Sequence, residues 1–113
     1  MVKRDTLLII EDDLALLRQL QWHFRYQPFE LIVDTDYESA ISAYRLHEPA
    51  VVLQGLGLPP DQDGVNEGFR CIQELLRMCQ HTKVIVMTGA QEATHGVRAI
   101  GLGAYDFFPK PVD

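Results

Sequence analysis

The segment Leu7–Asp13 reads LLIIEDD, four apolar residues followed by three carboxylates. The apolar run is continuous rather than alternating, which is typical of a strand that is covered on both faces in a parallel sheet. We therefore expect a buried strand over residues 6–10 that delivers acidic side chains to its carboxyl end. Further short apolar runs follow along the rest of the chain.

Four further short apolar segments are predicted to be strands. They cover Phe29–Val33, Ala50–Gln54, Lys83–Met87 and Tyr105–Phe108. Longer segments with helical spacing separate them, and this alternation indicates repeated strand-helix units. The sequence therefore predicts an α/β fold with a doubly wound, five-stranded parallel sheet between two layers of helices.

Four helices are expected between these strands. The first begins with Asp12 or Asp13 as its N-cap and ends before Pro28, and the second ends before Pro49. The third is expected from about Val65 to Gln80, and the fourth around Gln91 to Leu102. The predicted inward positions of the first two helices are Leu14, Leu17, Leu20, Phe24, Ala40, Ile41, Tyr44 and Leu46.

Composition limits the classes of function. A chain of 113 residues with 47% hydrophobic residues fits a single domain over residues 1–113. A net charge of -6 argues against direct nucleic-acid binding, which normally needs clustered basic residues. No apolar run approaches the roughly 20 residues that span a bilayer, and none near the start resembles a secretory signal. We expect a cytoplasmic protein that makes no contact with membranes.

Candidate site residues lie where four of the predicted strands end. In open parallel sheets, functional residues gather at the carboxyl ends of the strands, and Glu11, Asp12, Gly55, Thr88 and Lys110 all map there. Adjacent carboxylates such as Glu11 and Asp12 can hold Mg²⁺. A hydroxyl and an ammonium, from Thr88 and Lys110, would stabilise charge on a phosphoryl group.

One group is missing from this predicted pocket. The third strand runs through Gln54 into Gly55, where a carboxylate is expected. Glycine has no side chain that can attack phosphorus, so covalent carboxylate catalysis is excluded at this position. Asp61 and Asp63 follow on a loop rich in Gly, Pro and Asp, and either would have to rebuild that loop to act instead.

Four segments in order resemble the receiver domain of bacterial two-component response regulators. They are Leu8–Asp13, Val51–Pro59, Val84–Gly89 and Gly103–Pro111, and together they cover nearly the whole chain. The resemblance implies a flavodoxin-like three-layer sandwich. The long loop Pro59–Gly64 is also similar to that of receivers attached to sigma-54-dependent transcription activators.

The resemblance also implies roles for single residues. Glu11 and Asp12 match the acidic pair that binds Mg²⁺, with the backbone of Gly57 as a further ligand. Thr88 matches the switch hydroxyl. Phe107 matches the switch aromatic. Lys110 matches the pocket lysine, and the peptide between it and the following proline is expected to be cis. The phosphoacceptor position, four residues before the loop proline, falls at Gly55.

The expected function follows from these matches. The chain is predicted to be a receiver module of a phosphorelay that regulates a transcriptional output domain, and to act by protein contact rather than as an enzyme. Its partners would be a sensor histidine kinase or an output domain. It would be either a natural pseudo-receiver or a form with an inactivating Asp-to-Gly change. Mg²⁺ binding should be weak, and Lys110 is expected to turn toward Asp12.

Two other readings of the sequence remain open. A Mg²⁺-dependent enzyme could handle phosphate with a different carboxylate. A flavodoxin-type cofactor binder shares the fold, but Glu11 and Asp12 would repel its phosphate. No fifth helix is encoded before Asp113, so we expect a C-terminally truncated receiver with an exposed apolar face that forms a homodimer.

Overall fold

A computed structural model describes residues 5–78, 82–89 and 92–110. Strands and helices alternate along these ranges, as the sequence predicts. The elements are β1 Thr6–Ile10, α1 Leu14–Phe24, β2 Glu30–Asp34, α2 Tyr37–His47, β3 Val51–Gly55, α3 Asn66–Met78, β4 Lys83–Thr88, α4 Ala93–Leu102 and β5 Asp106–Pro109.

The strands form one sheet in the order β2-β1-β3-β4-β5, and every pairing is parallel. The predicted fold class is therefore confirmed. Strand order reverses beside β1, which has β2 on one side and β3 on the other. In sheets of this kind, ligands bind in the crevice outside the carboxyl ends of the strands at such a reversal. The expected ligand-binding site therefore lies where β1 and β3 end.

Separate apolar cores cover the two faces of the sheet. Leu8, Ile10 and Val52 point into the core that α2, α3 and α4 cover. Their neighbours Leu7, Ile9 and Leu53 point to the opposite face, where α1 supplies Leu16, Leu17 and Leu20. Because successive side chains of a strand alternate between faces, a continuous apolar run is what a sheet covered on both sides requires.

Two predicted core positions are wrong. Leu14 is 60% exposed and Leu46 is 77% exposed. Leu14 begins α1 at the edge of its apolar stripe, and Leu16 fills the inward position instead. Leu46 lies on the side of α2 opposite Ala40, Ile41 and Tyr44, as the helical period of 3.6 residues requires.

The remaining differences concern the ends of elements. β2, β3 and β5 each begin and end one residue later than predicted. Gln80, Gln91 and the Lys110–Pro111 peptide fall outside the described residues. Within those residues, the Pro59–Pro60 peptide is cis. No helix in the described part of the chain has the length and apolar character needed to cross a membrane.

An apolar cleft lies on the α1 face of the sheet. It has a volume of about 690 Å³, and Leu20, Phe24, Leu53, Ile85 and Phe108 are among the residues that line it. Along this part of the sheet, the described chain places α1 beside the strands and leaves the side chains of β4 and β5 lining open space.

Candidate functional site

The predicted site residues meet at the carboxyl edge of the sheet. Glu11 follows β1 directly, Gly55 ends β3, Thr88 ends β4 and Lys110 follows β5. Strand register brings Gly55 opposite Met87, and Thr88 opposite the last residue of β5. Parallel strands are what gather these residues, because their carboxyl ends share one edge.

The three carboxylates after β1 have different positions. Asp13 is the N-cap of α1, and its Oδ1 accepts hydrogen bonds from the backbone N–H groups of Ala15 and Leu16 at 3.0 and 3.2 Å. This settles which of the two predicted residues caps the helix. Asp12 is half-buried, whereas Glu11 turns inward and is completely buried.

The two carboxylate oxygens of Glu11 have different contacts, because Oε2 accepts hydrogen bonds whereas Oε1 forms an ion pair without a hydrogen bond. Oε2 accepts hydrogen bonds from the backbone N–H groups of Asp12 and Asp13, at 3.0 and 3.1 Å. Oε1 lies 3.1 Å from Nζ of Lys110. The expectation that Lys110 turns toward Asp12 is therefore wrong. A buried carboxylate needs a counter-charge far more than a half-buried one does, and Lys110 meets the buried group.

The side chain of Glu11 fills the space beside Gly55. A Cβ atom built on Gly55 would lie 2.9 Å from Cδ of Glu11 and closer still to Oε1. It would also lie 3.1 Å from the carbonyl oxygen of Ile10. The position where sequence reasoning expected a carboxylate from β3 is thus occupied by a carboxylate from β1.

Thr88 and Lys110 are joined through the backbone. The N–H of Lys110 donates to the carbonyl of Thr88 at 2.7 Å. The Thr88 hydroxyl is buried and lies 3.5 Å from the carbonyl oxygen of Phe108. Both residues therefore contact the end of β5 as well as the pocket.

Phe107 connects this end of the sheet to α4. Its ring packs against the larger core and lies over Gly96, where an added Cβ would collide with the ring. Phe108 points to the other side and is 38% exposed. Glycine is a poor helix former, but Gly96 in α4 has a packing reason, since any side chain there would displace Phe107.

Gln54 is a buried polar residue that sequence reasoning passed over. Its side chain is fully buried, and Nε2 donates to the carbonyl of Gly55 at 2.8 Å. Nearby Cys71 is also buried, and this burial raises the pKa of its thiol to about 12, while the Gln54 amide acts in the opposite direction. A polar residue directly after the apolar run Val51–Leu53 was the available signal.

In the loop after β3, Asp61 is held by hydrogen bonds to nearby residues. Asp61 Oδ2 accepts a hydrogen bond from the N–H of Asn66 at 3.2 Å, and backbone bonds to Leu58 and Gly64 close the turn around Asp61. Asp63 is exposed. A side chain at Gly57 would collide with the carbonyl of Gln62, so this loop packs closely on its own backbone.

The Lys110 ammonium lies where the predicted Mg²⁺ site would need an open carboxylate oxygen. Within the described residues, no cluster of three or more Asp, Glu, His or Cys side chains could hold a metal ion. Glu11 and Asp12 offer two carboxylates, but an ammonium already lies against Oε1 of Glu11. Hard cations such as Mg²⁺ require carboxylate oxygens free to coordinate. The Gly57 carbonyl as a further ligand stays a prediction.

The charge on Asp12 is disfavoured in the folded protein. Partial burial raises the pKa of its carboxyl, and Glu11 raises the pKa further by hydrogen bonding and repulsion. The ammonium of Lys110 lowers the pKa but does not cancel the rise. Burial and the neighbouring Glu11 carboxylate together outweigh the nearby cation.

The family model for the response regulator receiver domain matches residues 7–113. The chain belongs to this family. It is a receiver domain of a two-component system, as the sequence motifs indicate. Receiver domains of the family interact with kinases and output domains and typically bind Mg²⁺ at the phosphorylation site.

Curated relatives of this receiver are regulatory proteins. Regulatory protein AtoC of Escherichia coli is 30% identical over 107 residues, covering 95% of this chain and 22% of the relative. Transcriptional regulatory protein KdpE of Mycobacterium tuberculosis is 30% identical over 104 residues, covering 92% of this chain and 43% of the relative. The receiver therefore spans less than half the length of either protein.

Solved structures share the fold of this receiver. The N-terminal signal receiver domain of a response regulator from Bacteroides fragilis superposes with a TM-score of 0.84 at 27% identity, covering 98% of this chain and 88% of that one. The receiver domain of NtrX from Brucella abortus gives a TM-score of 0.84 at 22% identity, covering 95% and 87%.

The raised pKa of Asp12 predicts a pH-dependent gain in thermal stability when this residue is replaced by a neutral one. Because the folded-state pKa is above the unfolded one, the charged carboxyl costs stability at neutral pH, and this cost disappears as pH falls below the ordinary aspartate pKa. Asp12→Asn should raise the melting temperature at neutral pH in metal-free buffer, and the gain should shrink on acidification. Asp63→Asn, an exposed loop substitution with the same charge change, is the control. An equal gain at every pH would contradict the prediction.

The packing of Phe107 on α4 predicts opposite effects for two glycines. Gly96→Ala should lower the free energy of unfolding by roughly 1–3 kcal/mol, because the new methyl group overpacks against the ring. Gly101→Ala, in the same helix with open space beside it, should raise the free energy by up to about 1 kcal/mol through helix propensity. Urea unfolding measures both. If the two substitutions changed the free energy of unfolding alike, the Phe107 ring would not be what restricts residue 96 to glycine.

Proposed function

We propose that this receiver is a pseudo-receiver that signals by protein contact and does not accept a phosphoryl group in the ordinary way. The observation that carries the proposal is Gly55 at the end of β3, beside Glu11 and Lys110. A pocket built for phosphoryl transfer without the attacking carboxylate can be recognised by partners but cannot form an aspartyl phosphate.

The other acidic residues nearby are poorly suited to replace the acceptor. Glu11 is fully buried with both oxygens engaged, and Asp61 is held in its own turn. The phosphate-handling enzyme that uses a different carboxylate stays a prediction without a supporting observation. Binding without catalysis is the function that this arrangement favours.

We propose that Mg²⁺ binds here only weakly. Glu11, Asp12 and the backbone of Gly57 would be its ligands, but the cation would have to displace the ammonium of Lys110 from Glu11 Oε1. Thr88 and Phe107 would be the switch residues, since the Thr88 hydroxyl lies 3.5 Å from the Phe108 carbonyl oxygen of β5 and the Phe107 ring packs over Gly96 of α4.

We propose that the module acts in the cytoplasm on a transcriptional output domain, by analogy with relatives named as transcriptional regulators. A sensor kinase is the other expected partner. Apolar side chains exposed on α4 and in the turn before β5 support an interaction surface there. They are Val97, Ile100, Leu102 and Tyr105. We call these four residues the α4–β5 face and propose that it also forms a homodimer.

Incubation with acetyl phosphate and Mg²⁺, followed by intact-mass measurement, tests the missing acceptor. The protein should show no added phosphoryl group, whereas Gly55→Asp should gain one, because the new carboxylate lies beside Lys110 and Thr88. Gly101→Asp, which adds the same residue outside the pocket at a position with nothing within 4 Å of an added Cβ, is the matched control and should stay unmodified. A stable phosphoryl adduct on the unsubstituted chain would overturn the proposal and favour the enzyme alternative.

Sedimentation velocity tests the homodimer. The protein should change from monomer to dimer with rising concentration, and Val97→Asp should shift the equilibrium to monomer, because a charge placed in an apolar interface must be desolvated. Leu46→Asp places the same charge at an exposed leucine of α2, outside the α4–β5 face, and should not affect association. A monomer at every concentration would contradict the prediction.

A further inference from the structure

Strand β2 has one unpaired edge. It stands at the end of the sheet order, and in the described chain it pairs only with β1. The Glu30 N–H donates to the carbonyl that precedes β1, and the Asp34 carbonyl accepts from the N–H that follows β1. Backbone groups of successive residues in a strand face alternate sides. Those of Leu31 and Val33 therefore face away from the sheet.

The two edges of the sheet are protected to different degrees. Proteins protect exposed edges with short strands, proline or charged side chains. β5 is four residues long and ends in Pro109, which has no N–H to donate. β2 is five residues long, contains no proline and carries the partly exposed apolar run Leu31–Val33. Its protection consists of one acidic residue at each end, Glu30 and Asp34.

These two carboxylates lack cations. In the described part of the chain, no Lys or Arg forms an ion pair with Glu30 or Asp34. Partial burial raises the pKa of the Asp34 carboxyl, Asp36 raises it further, and His47 opposes the rise without cancelling it. A cation supplied by a partner would therefore meet unpaired negative charge at both ends of the strand.

A second copy of β2 does not fit this edge. If two copies paired antiparallel about Ile32, Glu30 of each copy would lie opposite Asp34 of the other, because both residues are equally far from Ile32. Like charges directly opposite each other destabilise a strand pair. The acidic ends thus oppose self-pairing and favour a strand of opposite charge.

We propose that the free edge of β2 binds an extended segment of a partner protein that has two basic residues four positions apart and apolar residues between them. The Leu31 and Val33 backbone would supply the hydrogen bonds, as in other proteins that add a peptide strand to a sheet edge. Glu30 and Asp34 share a face with Ile32, which packs on the core under α2, α3 and α4. Both basic side chains must lie on that face, and this fixes the register of the added strand.

This surface is separate from the pocket and from the α4–β5 face. It lies at the edge of the sheet opposite β5, and its argument uses neither residue 55 nor the exposed side chains of α4. The inference therefore goes beyond the proposed function and does not depend on it.

Calorimetric titration with two synthetic peptides of identical composition tests the register. The capped peptide Thr-Lys-Val-Ile-Val-Lys-Thr can place both lysines opposite Glu30 and Asp34. The capped control Thr-Val-Lys-Ile-Lys-Val-Thr cannot, because its lysines are only two positions apart. The first peptide should bind, and the control should bind about tenfold more weakly, since it loses cross-strand charge pairs.

Charge reversal tests which residues recognise the lysines. Glu30→Lys combined with Asp34→Lys should reject the lysine peptide and bind Thr-Glu-Val-Ile-Val-Glu-Thr instead. If that variant does not fold, Glu30→Gln combined with Asp34→Asn replaces it and should bind the lysine and glutamate peptides alike. Asp63→Lys combined with Asp106→Lys makes the same change in net charge at exposed positions away from β2. This control should keep the original preference.

Amide hydrogen exchange locates the bound peptide. Saturation with the lysine peptide should slow exchange of the Leu31 and Val33 N–H groups, which face the open edge. Unchanged exchange at both residues, equal affinity for the two register peptides, or no binding of the lysine peptide would each overturn the proposal. Slow exchange at these residues in concentrated protein without peptide would also overturn it, because a second copy would then occupy the edge.

Discussion

The contact between Glu11 and Lys110 joins two strands that are not neighbours. Glu11 follows β1 and Lys110 follows β5, and in the sheet order both β3 and β4 lie between them. The ion pair therefore crosses the carboxyl edge of the sheet and passes over the end of β3. Gly55, at the end of β3, adds no side chain beside this contact.

The ion pair contributes more to geometry than to stability. Burying a carboxylate and most of an ammonium costs several kcal/mol per ion, and the attraction between the two ions roughly offsets this cost. Removing one partner is different, because an uncompensated buried charge destabilises a protein by about 3–5 kcal/mol. The pair thus orients the Lys110 side chain, while backbone pairing with β4, including the bond from the Lys110 N–H to the Thr88 carbonyl, holds the end of β5.

The sequence predicted the sheet well because continuous apolar runs and helical spacing are local signals. It also placed Glu11, Gly55, Thr88 and Lys110 at one edge, since parallel strands share their carboxyl ends. It could not predict which carboxylate Lys110 meets. That choice depends on the burial of Glu11 relative to Asp12, and burial is a property of the whole fold. Leu46 was misplaced for a simpler reason, because apolar character alone does not show which side of α2 is inward.

Residue 55 has a steric role as well as a chemical one. Losing a phosphoacceptor needs only the loss of its carboxylate, and alanine or asparagine would achieve that as well as glycine does. Either would bring a Cβ into the space that the end of the Glu11 side chain occupies. The added atom would have to move that flexible end away from position 55, and with it the contact to Lys110. Glycine at position 55 therefore leaves the Glu11 carboxylate where it meets Lys110.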